Sequence, residues 1–222
     1  MLSRQLFQKK DRWLYRRLSW RGSANLRDRF LYLNYCTMEI YLIRHSTPDI
    51  AKGICYGQSD LGVANSFEEE LACLRKKIPE NFDYVYSSPL QRCSILAHRI
   101  SENPVFDKDL MELKFGDWEL KPWNEIPRNE SDHWAQNCET VAPPGGETFN
   151  EMFRRACNFW ERLISNDSET VAVVSHAGVI RCLLAKLLEI PLNKTFRIGL
   201  NYTSLTEIYK NEDYISIKYI NQ

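Results

Sequence analysis

The chain has 222 residues, 44% hydrophobic and 26% charged, with 29 basic and 29 acidic side chains. That length and mixture fit one ordinary globular domain with room for a tail. No run approaches the roughly 18 apolar residues that span a bilayer, so no integral membrane segment is expected.

The balanced total hides an asymmetry. Residues 1–37 hold nine Lys/Arg against only Asp11 and Asp28, a net of +7, which leaves −7 on the rest. An acidic body argues against a nucleic-acid partner, and any anion site must be built locally from a few focused cations. The seven cysteines (36, 55, 73, 93, 138, 157, 182) are odd in number, with no C-x-x-C pair and no metal-ligand spacing. They read as reduced thiols in a cytoplasmic setting, because a chain of this size builds a core without disulfide staples. Cys73, Cys157 and Cys182 fall in predicted helices, where free cysteine acts as a small hydrophobe.

Taken in chain order, residues 1–37 read as a basic extension outside the core, rich in Arg, Trp, Tyr and Leu and without a clean period. A targeting peptide is an alternative, although Ser enrichment and a cleavable apolar core are lacking. A basic membrane-surface helix is another. The second predicted domain, 38–222, opens with a strand at Met38–Arg44, and Met38 is itself a candidate start. Ser66 and Glu69 have capping-box spacing, which predicts a helix running to about Lys77. Phe82–Tyr86 reads as a strand. Ser88-Pro89-Leu90-Gln91 predicts a second helix, with Ser88 as N-cap, running to about Ile100. A short extended piece follows at Val105–Phe106.

Residues 117–145, richer in Trp and Pro, read as irregular, with a loop at Pro143-Pro144-Gly145-Gly146. Phe149, Met152, Phe153, Ala156, Phe159, Trp160, Leu163 and Ile164 recur at helical spacing. Val171–Val174 reads as a buried strand and Val179–Leu188 as a buried helix. Tyr202–Tyr209 and Tyr214–Tyr219 read as closing strands, joined as a hairpin across Asn211-Glu212-Asp213. Alternating strands and helices predict an α/β fold, a three-layer α/β/α sandwich around a mostly parallel sheet.

The chemistry concentrates at strand ends, where open α/β sheets place their sites. Arg44-His45 follows one apolar run, and Ser175-His176-Ala177-Gly178 follows another. Arginine beside histidine points to an anionic target, and the simplest site is a phosphate pocket with one histidine as nucleophile. Arg92 falls in the first turn of its predicted helix, where free N–H groups and the helix dipole add to the attraction for an anion.

Four segments carry a resemblance. They are Leu42-Ile43-Arg44-His45-Ser46-Thr47-Pro48, Ser87-Ser88-Pro89-Leu90-Gln91-Arg92, Met111-Glu112-Leu113-Lys114-Phe115-Gly116-Asp117-Trp118-Glu119 and Val174-Ser175-His176-Ala177-Gly178. A fifth is Pro144-Gly145-Gly146-Glu147-Thr148, followed by Arg155. Together they resemble the histidine phosphatase, or phosphoglycerate mutase-like, superfamily across almost all of 38–222. Within it the Cys-Tyr-Gly-x-x-Asp and Phe-Gly-Asp-Trp-Glu runs look most like the α-ribazole phosphatases.

The resemblance implies a phosphoglycerate mutase-like fold and a metal-independent phosphomonoesterase with no cofactor, acting on a small phosphorylated metabolite. It implies His45 as nucleophile, Glu112 as proton donor, and Arg44, Arg92 and His176 as the phosphate cage. α-Ribazole 5′-phosphate, in cobalamin nucleotide-loop synthesis, is the candidate substrate. A mutase-type phosphotransferase and a catalytically silent phospho-ligand binder stay open as alternatives. Arg44 and Arg92 offer planar forks that match phosphate oxygens. Gly57 would let backbone approach a ligand closely, and Gln58 and Ser59 would touch phosphate or the leaving group. Glu119 is the rival acid. Trp118, Trp123, His133 and Trp134 form a candidate wall or lid, and His98 reads as structural. Three positions depart from the family pattern: Ser46 stands where glycine is usual, Thr47 where an acidic residue is usual, and Ala51 near a common asparagine. The change at Ser46 would tighten the turn beside His45 or add a phosphate hydrogen bond.

Overall fold

The computed structural model describes residues 37–212 and 214–222. The expectations for residues 1–36, and the Asp213 position of the hairpin turn, lie outside the described residues.

The elements run β1 (Thr37–Arg44), α1 (Phe67–Arg75), β2 (Tyr84–Ser87), α2 (Gln91–Ile100), β3 (Val105–Phe106), α3 (Arg128–Asn137), α4 (Phe149–Ile164), β4 (Thr170–Ser175), α5 (Ala177–Leu188), β5 (Leu205–Asn211) and β6 (Tyr214–Tyr219). The six strands form one sheet in the order β3-β2-β4-β1-β5-β6. Pairs β3-β2, β2-β4 and β4-β1 are parallel, and β1-β5 and β5-β6 are antiparallel.

Strand alternation sends side chains to opposite faces, and β1 shows it directly. Ile40 and Leu42 join Val171 and Val173 under α4 and α5, packed on Met152, Phe159, Trp160 and Leu183. Tyr41 and Ile43 join Val85, Ala172 and Val174 under α1 and α2, packed on Phe67, Leu71, Leu74 and Leu96. The three predicted layers are therefore present.

Local details differ from the sequence reading. Ser66 does not cap α1 with its side chain. Its hydroxyl donates instead to Glu70 Oε1 at 2.7 Å. Helix α2 begins at Gln91 rather than beside Ser88, with Leu90 in the N-cap position. The stretch 117–145 contains α3, which buries none of its residues. Its one large apolar side chain, Trp134, packs half-buried on Phe115 and Trp118, and a single such residue leaves no periodic signal in the sequence. Strand β5 starts at Leu205, not Tyr202, because Thr203 takes a left-handed backbone with φ 57° that breaks the extended run. α4 is fixed by a capping box between Thr148 and Glu151.

Gly116 pins the loop between β3 and α3 to the loop before α4. Its φ is 55°, and an added Cβ would collide with the Pro144 carbonyl and the Gly145–Gly146 backbone. Asp117 N donates to Pro144 O at 2.8 Å across the same contact. Gly116→Ala should cost at least about 2 kcal/mol, through both strain and clash. Urea unfolding checks this, and a loss within experimental error would show that the contact yields freely.

Candidate active site

The β1-β4 register sets Arg44 beside Ser175. Both strands run the same way, so His45 and His176 leave the sheet side by side. His45 N donates to Ser175 O at 2.9 Å and continues the ladder by one residue. Ser87 pairs with Val174, and Ser88 N donates to Val174 O, which brings the start of α2 to the same edge. The two imidazole centroids are 5.0 Å apart, and the rings are buried to 1% and 0% exposure.

His45 Nδ1 lies 2.7 Å from Ser46 O. A carbonyl oxygen only accepts, so Nδ1 carries the proton and Nε2 keeps its lone pair. Burial is the main force holding the His45 pKa well below the ordinary histidine value, and Arg92 and Arg44 add to it. His176 is lowered in the same way, by burial first and then by Arg92, His45, Arg155 and Arg44. His176 Nε2 meets Ser88 Oγ at 2.9 Å and Cys93 Sγ at 3.4 Å. His176 also stands at the N-cap of α5.

Arg92 is fully buried, with Nη1 donating to Ser59 O at 2.8 Å and Nη2 to Gly57 O at 2.6 Å. Arg44 Nη1 donates to Leu200 O. Part of each guanidinium fork is thus held by main-chain carbonyls, while both Nε–H groups are buried without a partner. Among the described residues no carboxylate forms an ion pair with either arginine. A fully buried cation, Arg92, beside a partly buried one, Arg44, with no counter-charge is costly unless an anion visits them.

Glu112 sits at the N-terminus of α5. Its Oε2 accepts from Gly178 N at 3.3 Å, and its Oε1 accepts from Leu113 N at 2.9 Å. Glycine at 178 leaves room for this carboxylate, since a Cβ there would push Glu112 Oε1 from its place. Arg155 gathers the segment before it, donating from Nη1 to Asp109 O and Met111 O and from Nη2 to Glu112 O. Both Glu147 oxygens hold Arg155 in turn.

The rival acid is occupied otherwise. Glu119 Oε1 accepts from Gln58 N and Phe115 N, both at 3.0 Å, and Oε2 accepts from Ser59 Oγ at 2.6 Å. The segment Gly57-Gln58-Ser59 therefore bonds to protein atoms. Its carbonyls grip Arg92, and Gln58 Nε2 donates to Glu112 O at 2.8 Å. The close approach that Gly57 allows is to Glu119 and the Leu113 carbonyl. Trp118, Trp123 and Trp134 cluster with Phe115. His133 lies apart from them, bonded to Asn137 on the exposed side of α3. His98 packs on Phe106.

Three contributors escaped the sequence reading. Tyr202 stacks under Arg44, with its centroid 3.9 Å from Cζ, and lies 5.5 Å from the His45 ring. Its hydroxyl meets that of Tyr56 at 3.1 Å, and Arg92 lies over the Tyr56 ring at 5.1 Å. Glu70 Oε2 accepts from Thr47 N and from Thr203 Oγ1, clipping the loop after His45 to the loop that carries Tyr202. Burial pushes the Glu70 pKa up, but hydrogen bonds from Thr203, Thr47 and Ser66 outweigh it and hold the carboxyl below its ordinary value. Tyr202 lay inside an apparent strand and Glu70 inside a run of helix-surface acids, so neither pattern marked them.

Both histidines are depressed in the folded state, so below about pH 6.5 the unfolded chain binds protons that the folded chain refuses. The stabilisation is present above that pH and is lost as pH falls. Ligand-free stability should drop on the order of 1 kcal/mol per pH unit for each ring as pH goes from 7 to 5. Urea unfolding across that range measures it. Imidazole NMR signals of His45 and His176 that titrate near 6.5 would contradict it.

The sequence profile described as histidine phosphatase superfamily (branch 1) matches residues 40–222. An adenosylcobalamin/alpha-ribazole phosphatase of Salmonella typhimurium is 26% identical over 198 residues, covering 83% of this chain and 96% of that protein. Phosphoserine phosphatase 1 of Hydrogenobacter thermophilus is 24% identical over 185 residues, covering 79% of this chain and 88% of that protein. The crystal structure of the alpha-ribazole phosphatase from Shigella flexneri superposes with a TM-score of 0.76 at 23% identity, covering 83% of this chain and 96% of that one. With the two strand-end histidines side by side and a match that spans most of its length, this chain belongs to the histidine phosphatase superfamily, branch 1.

Proposed function

We propose that residues 38–222 hydrolyse a small phosphomonoester through a phosphohistidine at His45. The observation that carries this is the pair of imidazoles 5.0 Å apart beside the buried Arg92 and the partly buried Arg44, neither with a carboxylate partner among the described residues. Arg44, Arg92 and His176 hold the terminal phosphoryl oxygens and take up the charge that builds in the transition state. His45 Nε2 attacks phosphorus while the bond to the leaving oxygen breaks. Glu112 gives its proton to that oxygen, so an alcohol leaves rather than an alkoxide. The Glu112 carboxylate then takes a proton from water, the water oxygen attacks phosphorus, and the N–P bond breaks. Inorganic phosphate leaves and both residues regain their starting states. Gly57, Gln58 and Ser59 serve this chemistry by fixing Arg92 and the Glu112 main chain.

The first candidate substrate is α-ribazole 5′-phosphate. The near full-length match to a relative named for that activity supports it, as do the Cys-Tyr-Gly and Phe-Gly-Asp-Trp-Glu runs. Phosphoserine is the natural competitor, given the relative named for it. We place the enzyme in the cytoplasm. The six described cysteines are unpaired, and no helix among the described residues is long and apolar enough to cross a membrane.

His45→Ala should lower kcat for p-nitrophenyl phosphate by at least about 10³-fold, and EDTA should leave the wild-type rate unchanged. Undiminished turnover by the variant would remove His45 as nucleophile. Glu112→Gln should lower kcat/KM, which reports transfer of the phosphoryl group to His45, about 10²-fold or more with alkyl phosphates and much less with p-nitrophenyl phosphate, whose phenolate leaves without help. Equal losses on both would argue against Glu112 as the proton donor. A panel of α-ribazole 5′-phosphate, phosphoserine and 3-phosphoglycerate, with release of inorganic phosphate as the readout, ranks the substrates. Efficient isomerisation of 3-phosphoglycerate would instead favour a mutase.

A further inference from the structure

We propose that Ser88 is a positioning residue for His176: its hydroxyl donates to Nε2, fixes the ring and places its N–H proton on Nδ1. The inference rests on the phosphatase reading above, in which His176 holds a phosphoryl oxygen, and extends it to the group that prepares His176 for that task. Ser88 and His176 are both fully buried, and Ser88 Oγ lies 2.9 Å from His176 Nε2. Leu90 N donates to Ser88 Oγ at 3.4 Å, so that oxygen already accepts, and its own proton needs an acceptor. Cys93 Sγ also stands beside Ser88 and lies 3.4 Å from Nε2. Sulfur accepts only weakly, and Cys93 gives its own proton to Ser175 O at 3.6 Å. The bare imidazole nitrogen is therefore the acceptor for the hydroxyl proton.

The main chain of Ser88 is itself held. Ser88 N donates to Val174 O at 3.0 Å, and Ser87 Oγ donates to Ser88 O at 2.9 Å. The hydroxyl thus hangs from the strand that carries His176 and does not follow a ring that rotates. Burial keeps that ring neutral, so it has one N–H to give. Histidine free in water prefers that proton on Nε2, and the bond from Ser88 reverses the preference. A neutral ring whose Nε2 is taken offers an anion only Nδ1–H. That group has no oxygen acceptor among the described residues, and its one polar neighbour is Cys93 Sγ at 3.9 Å. Without the hydroxyl the ring returns toward its Nε2–H form, and the fraction of molecules ready to hold phosphate falls with it.

The test uses the full chain with isotope-labelled histidine. Long-range proton–nitrogen NMR spectra of the ligand-free protein above neutral pH report which ring nitrogen carries the proton. The four histidines are told apart with His45→Ala, His98→Gln and His133→Gln variants. The expected wild-type result is a protonated Nδ1 and a bare Nε2 at His176. In Ser88→Ala the Nε2–H form should appear, and Kd for inorganic phosphate and for orthovanadate should weaken roughly tenfold. Ser88→Thr keeps the hydroxyl, and it should restore the Nδ1–H form and bring binding to within about threefold of wild type. A packing role alone would cost stability without moving the proton between nitrogens. A wild-type His176 protonated on Nε2 overturns the proposal, because the hydroxyl then turns to Cys93; this measurement decides even if no Ser88 variant folds. A Ser88→Ala variant that keeps the Nδ1–H form, or binds phosphate within about twofold of wild type, overturns it as well. If wild type shows the Nδ1–H form but neither binds phosphate nor hydrolyses p-nitrophenyl phosphate, the phosphatase reading fails while the hold of Ser88 on His176 stands.

Discussion

The parallel pairing of β1 with β4 governs this molecule. Setting Arg44 beside Ser175 leaves the next residue of each strand, a histidine, projecting from the same edge of the sheet. A slip of one residue would turn every side chain of β1 to the other face. It would bury Tyr41 and Ile43 where Ile40 and Leu42 now pack, and it would separate the two rings. The hydrophobic layers on both faces therefore specify the register, and the register specifies the site.

Around that edge the protein keeps positive charge inside without matching carboxylates. The body outside the first 37 residues carries a net −7, yet its acids near the site are turned to other tasks. Glu119 binds two main-chain N–H groups and a serine hydroxyl. Glu70 ties two loops together. Glu147 neutralises Arg155, which in turn holds the carbonyls leading into Glu112. Carboxylates thus build the frame, and the two cage arginines are left facing neutral histidines. Burial lowers both imidazole pKa values, the two arginines add to it, and in the proposed mechanism this leaves the His45 Nε2 lone pair free to attack.

Tyr56 and Tyr202 complete the frame on the outer side. Each ring lies against one cage guanidinium, and their hydroxyls meet, so the two arginines are steadied by faces of π-electron density rather than by anions. The contact adds no negative charge to compete with phosphate. The left-handed Thr203 beside Tyr202 is held by its bonds to Glu70 and to His45 O, which maintain a backbone that a β-branched residue adopts at a cost.

The sequence by itself determined the layered α/β architecture, because period-2 and period-3.6 apolar patterns mark each buried face. It also singled out the two histidines and two arginines to which the proposed chemistry is assigned, because each stands at the end of an apolar strand or in the first turn of a helix. It could not show α3, whose single packed aromatic, Trp134, leaves no periodic pattern, nor the true start of α2, where Ser88 turns to His176 instead of capping. The motif resemblance preferred Glu112 to Glu119, and the tertiary structure supplies the physical difference between them. Both lie in one short loop, and only the folded chain shows one carboxylate at the start of α5 and the other saturated with hydrogen bonds. It alone decided that Gly57-Gln58-Ser59 faces Arg92 and Glu119, and that Tyr56, Glu70 and Tyr202, which lie 11, 25 and 157 residues beyond His45 in sequence, converge around it. Such contacts depend on where separate loops meet in space, and spacing along the chain carries no record of that.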